Sequence, residues 1–177
     1  MLKLASVLLI AGTLSNVLLI AGTFINANDT GTFMGLRVTP ESRCAPYAPE
    51  DYKYTQAIER RIQEQLGGIW SPYTGEVFST LRKTDIEHIV ARSEAHDSGL
   101  CAADQATKRT FANDLLNLTL ASPRVNRVEK RDKDAAEWLP DVNKCWFARR
   151  VVAVKAKYGL TIDVAERESL EAVLRDC

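Results

Sequence analysis

The residues with the clearest chemical potential lie in the middle of the chain. His88 follows Asp85 by three residues and Glu87 by one, and two asparagines, Asn117 and Asn126, follow at a mutual spacing of nine residues. An imidazole with an ordinary pKa of about 6.5 can accept a proton at neutral pH. Carboxylate and amide oxygens are ligands that Mg²⁺ accepts in proteins. Together, these residues could activate a water molecule beside a divalent metal.

Each of these residues also has an ordinary structural explanation. A single histidine in a strand is usually a packed or hydrogen-bonded core residue. Asn117 could close a turn, since Asn tolerates left-handed backbone conformations, and Asn126 could be a solvated helix residue. His96, the other histidine, lies in polar, loop-like sequence and receives no catalytic role. The combination of residues, more than any one of them, favours a functional site.

Hydrophobic spacing predicts the elements that position this segment. Apolar residues at every fourth position predict a helix over 51–66, which Gly67 and Gly68 end. Turn-forming residues at 71–75 precede a β-rich run at 84–90, so we expect a hairpin or paired strands there. The polar stretch 91–107 is predicted to be a loop.

The second half of the chain is predicted to be mostly helical. The predicted helices cover 108–116, 125–131 after the start signal Ser122-Pro123, 141–158 before Gly159, and a last helix from Asp163 through Leu174. Asp163 and Glu166 have nearly the spacing of a capping box. Trp138 and Trp146 are predicted to be core residues rather than platforms for stacking bases.

The segments Asp85-Ile86-Glu87-His88-Ile89-Val90 and Asn117-Leu118-Thr119-Leu120, followed by Asn126, resemble the His-Asn-His (HNH) endonuclease superfamily. The match is to the branch with a D-x-E-H strand and an N-L-T-L turn, and it is similar to the C-terminal nuclease domains of GmrSD restriction endonucleases. The resemblance implies an α+β fold in which α-helices surround a small two-stranded ββα-metal core. It places the nuclease domain at 51–177 and its core at about 70–133. The turn at 71–76 has no cysteines, so no structural zinc is implied.

The resemblance also implies a role for each residue in phosphodiester hydrolysis. His88 looks like the general base, and Glu87 and Asn126 look like ligands of one divalent metal, for which Mg²⁺ suits the oxygen donors. Asp85 is a further ligand or an orienting acceptor, and Asn117 looks like the residue that holds the His88 segment in place. Because side chains alternate along a strand, His88 and Glu87 share a face only if the strand ends or bulges there.

Charge distribution indicates a polyanionic substrate. Lys+Arg and Asp+Glu both total 23, but the segment 108–133 has seven basic and three acidic residues. Arg124, Arg127 and Lys130 are the predicted phosphate contacts. The substrate is therefore predicted to be nucleic acid, with DNA favoured over RNA. The remaining length has no room for a separate recognition domain, so little sequence specificity is expected.

The first residues indicate export. Lys3 precedes an apolar stretch in which seven residues starting at Val7 are repeated from Val17, and small residues lie near Ala27. We predict a signal peptide over 1–27, a secreted protein, and an N-terminal extension over 28–50. The alternative is an uncleaved membrane anchor, although Ser15-Asn16 interrupts the apolar run.

The four cysteines agree with export. Cys44, Cys101, Cys145 and Cys177 all follow the predicted leader and form no C-x-x-C pair, which favours two disulfides over a metal or redox site. Three connectivities are possible from the sequence. We favour Cys101 with Cys145 and Cys44 with Cys177.

The sequence thus predicts a secreted, metal-dependent endonuclease. One alternative is a protein that kept the fold and binds nucleic acid without cleaving it, against which the intact His88, Glu87 and Asn126 argue. Another is a toxin or effector nuclease that acts in another cell, which has the same chemistry and a different destination.

Overall fold

The computed structural model describes residues 31–177. The predicted signal peptide over 1–27, its internal repeat and the start of the predicted 28–50 extension lie outside the described residues. No helix of the described part is long and apolar enough to span a bilayer.

The described residues form two small sheets and a set of helices. In chain order the elements are β1 (Thr32–Phe33), β2 (Leu36–Arg37), α1 (Ile58–Leu66), β3 (Asp85–His88), α2 (Arg92–Asp97), α3 (Gln105–Ala112), β4 (Leu118–Ala121), the π-helical segment Val125–Lys130, α4 (Lys144–Tyr158) and α5 (Val164–Arg175). Single 3-10 turns lie at Pro49–Tyr52, Leu81–Lys83 and Leu100–Ala102. The predicted α+β class is confirmed.

The β3–β4 pair is the structural centre of the predicted site. The strands are antiparallel, with Asp85 opposite Ala121 and His88 opposite Leu118. One face of the pair packs on α1 through a fully apolar cluster. Its members are Ile58, Ile62, Ile86, Leu118 and Leu120. Each such buried side chain contributes about 1.5–3 kcal/mol of burial free energy, which holds the pair against the helix.

A larger core joins α3, α4 and α5. It buries Phe111 of α3, Phe147 and Val151 of α4, and Leu170 of α5. Trp138 and Trp146 pack half-buried against it, so each ring contributes to the core and also keeps accessible surface.

Several predicted helix ends are confirmed. Gly159 ends α4 at φ 64°, a left-handed conformation that glycine adopts without steric cost. The Asp163 carboxylate accepts a hydrogen bond from the Glu166 amide at 2.7 Å and so caps α5. The Glu166 side chain does not complete a capping box, because it is bound elsewhere.

The Glu166 carboxylate belongs to a buried charge cluster around Lys155. The Lys155 ammonium is fully buried, forms a short ion pair with Glu166 of α5, and lies 2.7 Å from Glu94 of α2. It also donates to Ser98 Oγ at 3.2 Å and to the Thr161 carbonyl at 3.1 Å. One cation of α4 therefore joins the neighbouring helix α5 to α2, which is distant in sequence.

The predicted loop at 91–107 is wrong, since the segment contains α2, a 3-10 turn and the start of α3. Its polar residues are buried with partners that are distant in sequence. Glu94 binds Lys155, and His96 contacts the Tyr52 hydroxyl at 2.8 Å and the Ala45 carbonyl at 2.7 Å. These contacts give His96 a structural place, in line with its exclusion from catalysis.

Two predicted helices begin later than expected. The helix predicted from 51 starts at Ile58, because Pro49–Tyr52 forms a separate 3-10 turn. The helix predicted from 141 starts at Lys144, because Asn143 has a left-handed backbone (φ 55°) and its side chain donates to the Pro72 carbonyl at 2.9 Å.

The favoured disulfide connectivity is wrong. The bridges join Cys44 to Cys101 and Cys145 to Cys177. The first ties the segment before α1 to the 3-10 turn after α2, and the second ties the start of α4 to Cys177, two residues after the end of α5. Cysteine spacing alone carries no information on which helix ends meet.

Reduction of both bridges is expected to destabilise the protein. The bridges close loops with sequence separations of 57 and 32 residues, and each loop is worth roughly 4 kcal/mol in the chain-entropy model. Thermal melting with and without reductant should show a large loss of Tm, and peptide mapping should recover the two pairs. Four alkylatable thiols in the native protein, or an unchanged Tm after full reduction, would contradict this expectation.

Candidate active site

His88 is the last residue of β3, and its ring is fixed on three sides. Its Nε2 lies 3.0 Å from the Ala112 carbonyl oxygen, its ring stacks on Phe111, and Tyr54 meets it edge-on. A carbonyl oxygen can only accept, so Nε2 carries the hydrogen and Nδ1 of the neutral ring keeps its lone pair. Burial, reinforced by the charge of Arg92, lowers the pKa of His88 to about 3. The imidazole is therefore neutral and keeps a lone pair at Nδ1, and the same burial makes it a weaker base than a free histidine.

Asn117 is fully buried and holds the chain just after His88. Its Oδ1 accepts from the Val90 amide at 2.8 Å, and its Nδ2 donates to the Val90 carbonyl at 3.1 Å. The Asn117 carbonyl accepts from the Ile89 amide at 2.8 Å. These three bonds satisfy the backbone beyond β3 and fix the strand end that carries His88.

Glu87 is buried and faces the π-helical segment. The Lys130 ammonium lies 3.0 Å from Glu87 Oε1 and donates to the His88 carbonyl at 3.0 Å. Both side chains are almost completely withdrawn from solvent. Burial raises the pKa of Glu87, and the Lys130 charge opposes this shift. The buried pair places a carboxylate and its counter-ion at the same strand end as His88.

Asp85 lies on the same strand face as Glu87, two residues earlier. Its carboxylate accepts from Asn126 Nδ2 at 3.0 Å and binds the Arg127 guanidinium with two bonds of 2.7 and 2.6 Å. A bidentate pair of this kind has a well-defined geometry. The structure thus brings Asp85, Asn126 and Arg127 together.

The alternation of side chains separates His88 from the carboxylates. Asp85 and Glu87 face the π-helical segment, whereas His88 lies among α3 and Tyr54 on the opposite face. The pairing of β3 stays regular through His88, and no bulge interrupts its register. His88 and Glu87 are neighbours only along the backbone at the end of β3. A substrate would have to span both faces of the strand to contact both side chains.

Further oxygen atoms surround Glu87. Thr119 stands directly opposite Glu87 in the β3–β4 register, so the two side chains share a face. The hydroxyl groups of Thr119 and Tyr73 are fully buried and lack a hydrogen-bond partner within residues 31–177. The Glu87 charge adds to burial in raising the pKa of Tyr73 well above its ordinary value. Buried polar atoms without partners are rare, and oxygen donors around a carboxylate suit a hydrated Mg²⁺.

One cationic residue of this site escaped the sequence analysis. Arg92, in the first turn of α2, lowers the pKa of His88 and also acts on Glu87. Its Nη1 donates to the Tyr52 carbonyl at 3.3 Å, and its guanidinium lies 5.4 Å from the centre of the Tyr54 ring. The only available signal was the position of Arg92 four residues after His88, which is meaningful only if 91–97 is helical.

The predicted phosphate contacts have other partners. Lys130 is fully buried, so its prediction as a surface phosphate contact does not fit the structure. Arg127 binds Asp85, and the exposed Arg124 pairs with Glu129 at 2.7 Å. Arg127 and Lys130 are therefore compensated by Asp85 and Glu87, which lie outside this stretch, and Arg124 by Glu129 within it.

A second acidic group lies away from this site. Glu41, Asp134 and Asp163 bring carboxylate oxygens within 4.8 Å of one another. It includes none of the predicted metal ligands.

The comparisons with known proteins identify the family. The family model described as "GmrSD restriction endonucleases, C-terminal domain" matches residues 46–173. The chain therefore belongs to this family, whose name indicates a nuclease domain, and the resemblance drawn from the motifs is confirmed.

One curated relative is a fungal protein. A protein of Arthroderma benhamiae described as an "uncharacterized secreted protein" is 32% identical over 115 residues. The match covers 63% of this chain and 56% of that protein, so it spans little more than half of the relative. No solved structure matches the chain significantly.

Proposed function

We propose that this protein is a metal-dependent endonuclease that hydrolyses phosphodiester bonds with little sequence specificity. The observation that carries this proposal is the strand end of β3. There a neutral histidine with a free Nδ1 lies on one face of the strand, and a buried carboxylate lies on the other, facing hydroxyl groups that lack partners within residues 31–177. The family membership supports the same chemistry.

In this proposal the residues have distinct roles. His88 accepts the proton of the attacking water at Nδ1, while the Ala112 carbonyl holds its ring. Glu87, Asn126 and Asp85 hold a divalent cation, most simply Mg²⁺, which supplies Lewis-acid stabilisation of charge on the phosphate. Asn117 acts indirectly, by holding the backbone next to His88.

Cationic side chains would orient the phosphate. The Arg92 guanidinium lies 5.4 Å from the centre of the Tyr54 ring, which contacts His88, so it would neutralise a phosphate near His88. Arg124 and Arg127 are exposed on the π-helical segment and would contact the flanking backbone. Lys130 instead acts as the internal counter-ion of Glu87.

We also propose that the protein is secreted. The two disulfides suit an oxidising compartment, and the curated relative is described as secreted. The predicted signal peptide over 1–27 agrees with this destination.

The test is incubation of purified, oxidised protein with supercoiled plasmid, linear DNA and RNA, in Mg²⁺ or in EDTA. We expect nicking and then linearisation of the plasmid in Mg²⁺, cleavage of the linear DNA, and no cleavage in EDTA. Binding to every substrate without cleavage would instead support the inactive nucleic-acid-binding protein. Cleavage of RNA alone would refute the preference for DNA.

A further inference from the structure

Helices α1 and α4 flank a surface groove. The segment 114–116 lies between this groove and β4. Gln65 of α1 donates to the Leu115 carbonyl at 3.2 Å, and Arg150 of α4 donates to the Leu116 carbonyl at 3.3 Å. The segment 114–116 therefore forms the floor between the two helices. A hollow lies on each side of it, and each hollow is lined by side chains of both α1 and α4.

One hollow, of about 510 Å³, is basic. Arg61 of α1, Arg109 of α3 and Lys157 of α4 line it together with Asp114. Lys157 pairs with Asp114 at 2.5 Å. Arg61 and Arg109 are exposed and form no ion pair within residues 31–177. Three cations facing one carboxylate create a positive field with two uncompensated guanidinium groups.

The other hollow, of about 270 Å³, is aromatic. Trp70 and Trp146 line it with Leu66 of α1, and Arg150 lies 5.8 Å from the centre of the Trp146 ring. Both indole rings are only half-buried, so each has accessible surface. The indole N–H of Trp70 is taken by the Leu66 carbonyl at 2.9 Å. This ring therefore offers apolar surface to a ligand, and its donor is already used.

Helical spacing joins the two hollows into one groove. Arg61 and Gln65 are one turn apart on α1, and Trp146, Arg150 and Lys157 fall on one face of α4 at spacings of four and seven. The first and last of these three are eleven residues apart, which is about 16 Å along the axis of α4. Cationic and aromatic side chains thus share a single track.

We propose that this α1–α4 groove binds single-stranded nucleic acid. Phosphates would lie on the guanidinium and ammonium groups, and unpaired bases would stack on the indole rings, which is how single strands are held without sequence readout. A duplex buries its base faces within the helix and could use only the cations. The basic end adjoins the candidate active site, because α3 carries both Arg109 and the Ala112 carbonyl that holds His88. The inference rests on the proposed nuclease function.

The test measures binding separately from cleavage. Fluorescence anisotropy in EDTA would compare a labelled twelve-nucleotide oligothymidine with a duplex of the same length, at 50 to 200 mM salt. We expect tighter binding of the single strand, with quenching of tryptophan fluorescence. The double variant Arg61→Ala/Arg109→Ala should weaken this binding at least about tenfold and lower the salt slope by roughly 1.4, since each phosphate contact on a single strand contributes about 0.7.

The matched control is Arg60→Ala/Arg82→Ala, which removes two exposed cations outside the groove. Its affinity should stay within about twofold of the unchanged protein. Equal or tighter binding of the duplex, equal binding of polyglutamate, or equal loss in both double variants would overturn the proposal. Single-strand binding without any cleavage in Mg²⁺ would support the groove and refute the nuclease function. Cleavage in Mg²⁺ without groove-dependent binding would support the nuclease function and refute the groove.

Discussion

Replacement of His88 by alanine should lower kcat by about 10²-fold or more, which is the range for loss of a general base. The imidazole lies at the end of β3, is neutral and keeps a free lone pair at Nδ1. Single-turnover cleavage of a supercoiled plasmid in saturating Mg²⁺ would measure the loss. Near-normal cleavage by this variant would remove His88 from the mechanism.

The variant His88→Gln distinguishes a catalytic role of His88 from a structural one. A glutamine amide can still donate to the Ala112 carbonyl but cannot act as a base, so this variant should keep more stability than His88→Ala and be equally slow. His96→Gln is the matched control, because His96 is also buried and hydrogen-bonded. In folded His96→Gln protein, the rate of the chemical step should equal that of the unchanged protein. Equal losses of activity and Tm in both histidine variants would indicate a structural role for His88.

Loss of Glu87 should have the second large effect. In Glu87→Gln, the Mg²⁺ concentration for half-maximal activity should rise by about tenfold or more, because metal sites lose at least this much when even a supporting group is removed. The Lys130 ammonium would also remain buried without its counter-charge, at a cost of about 3–5 kcal/mol. Activity and unfolding must therefore be measured on the same samples.

The double variant Glu87→Gln/Lys130→Met distinguishes these two effects. Removing both charges should restore much of the lost stability, while metal binding, measured by titration calorimetry with Mg²⁺ or Mn²⁺, should stay weak. Asn126→Ala should weaken metal binding and leave the buried pair intact. If the double variant bound metal as the unchanged protein does, Glu87 would not be a ligand.

The parts of the fold that the sequence predicted correctly depend on local chemistry. Gly159 ends α4 because its backbone is left-handed, and Asp163 caps α5 through an amide three residues away. The strand at 85–88 has a compact motif of its own. In each case the decisive interaction lies within a few residues, where a single sequence can show it.

The errors involve partners that are far apart in the chain. Glu94 looks like a loop residue until Lys155, 61 residues later, supplies its counter-charge. Lys130 looks like a surface cation until Glu87 is placed beside it, 43 residues earlier in sequence. The disulfide pairs likewise depend on which helix ends meet. Reading the site correctly therefore required the fold, although its residues were visible in the sequence.

The cation shared by α2, α4 and α5 has a consequence for how the protein opens. If one helix detached, a buried charge would lose its partner at a cost of several kcal/mol, so partial fraying is disfavoured relative to release of all three. The three helices should then behave as one cooperative unit, with similar amide hydrogen-exchange protection, although α2 is far from α4 and α5 in sequence. A protease would then meet these helices either all packed or all released.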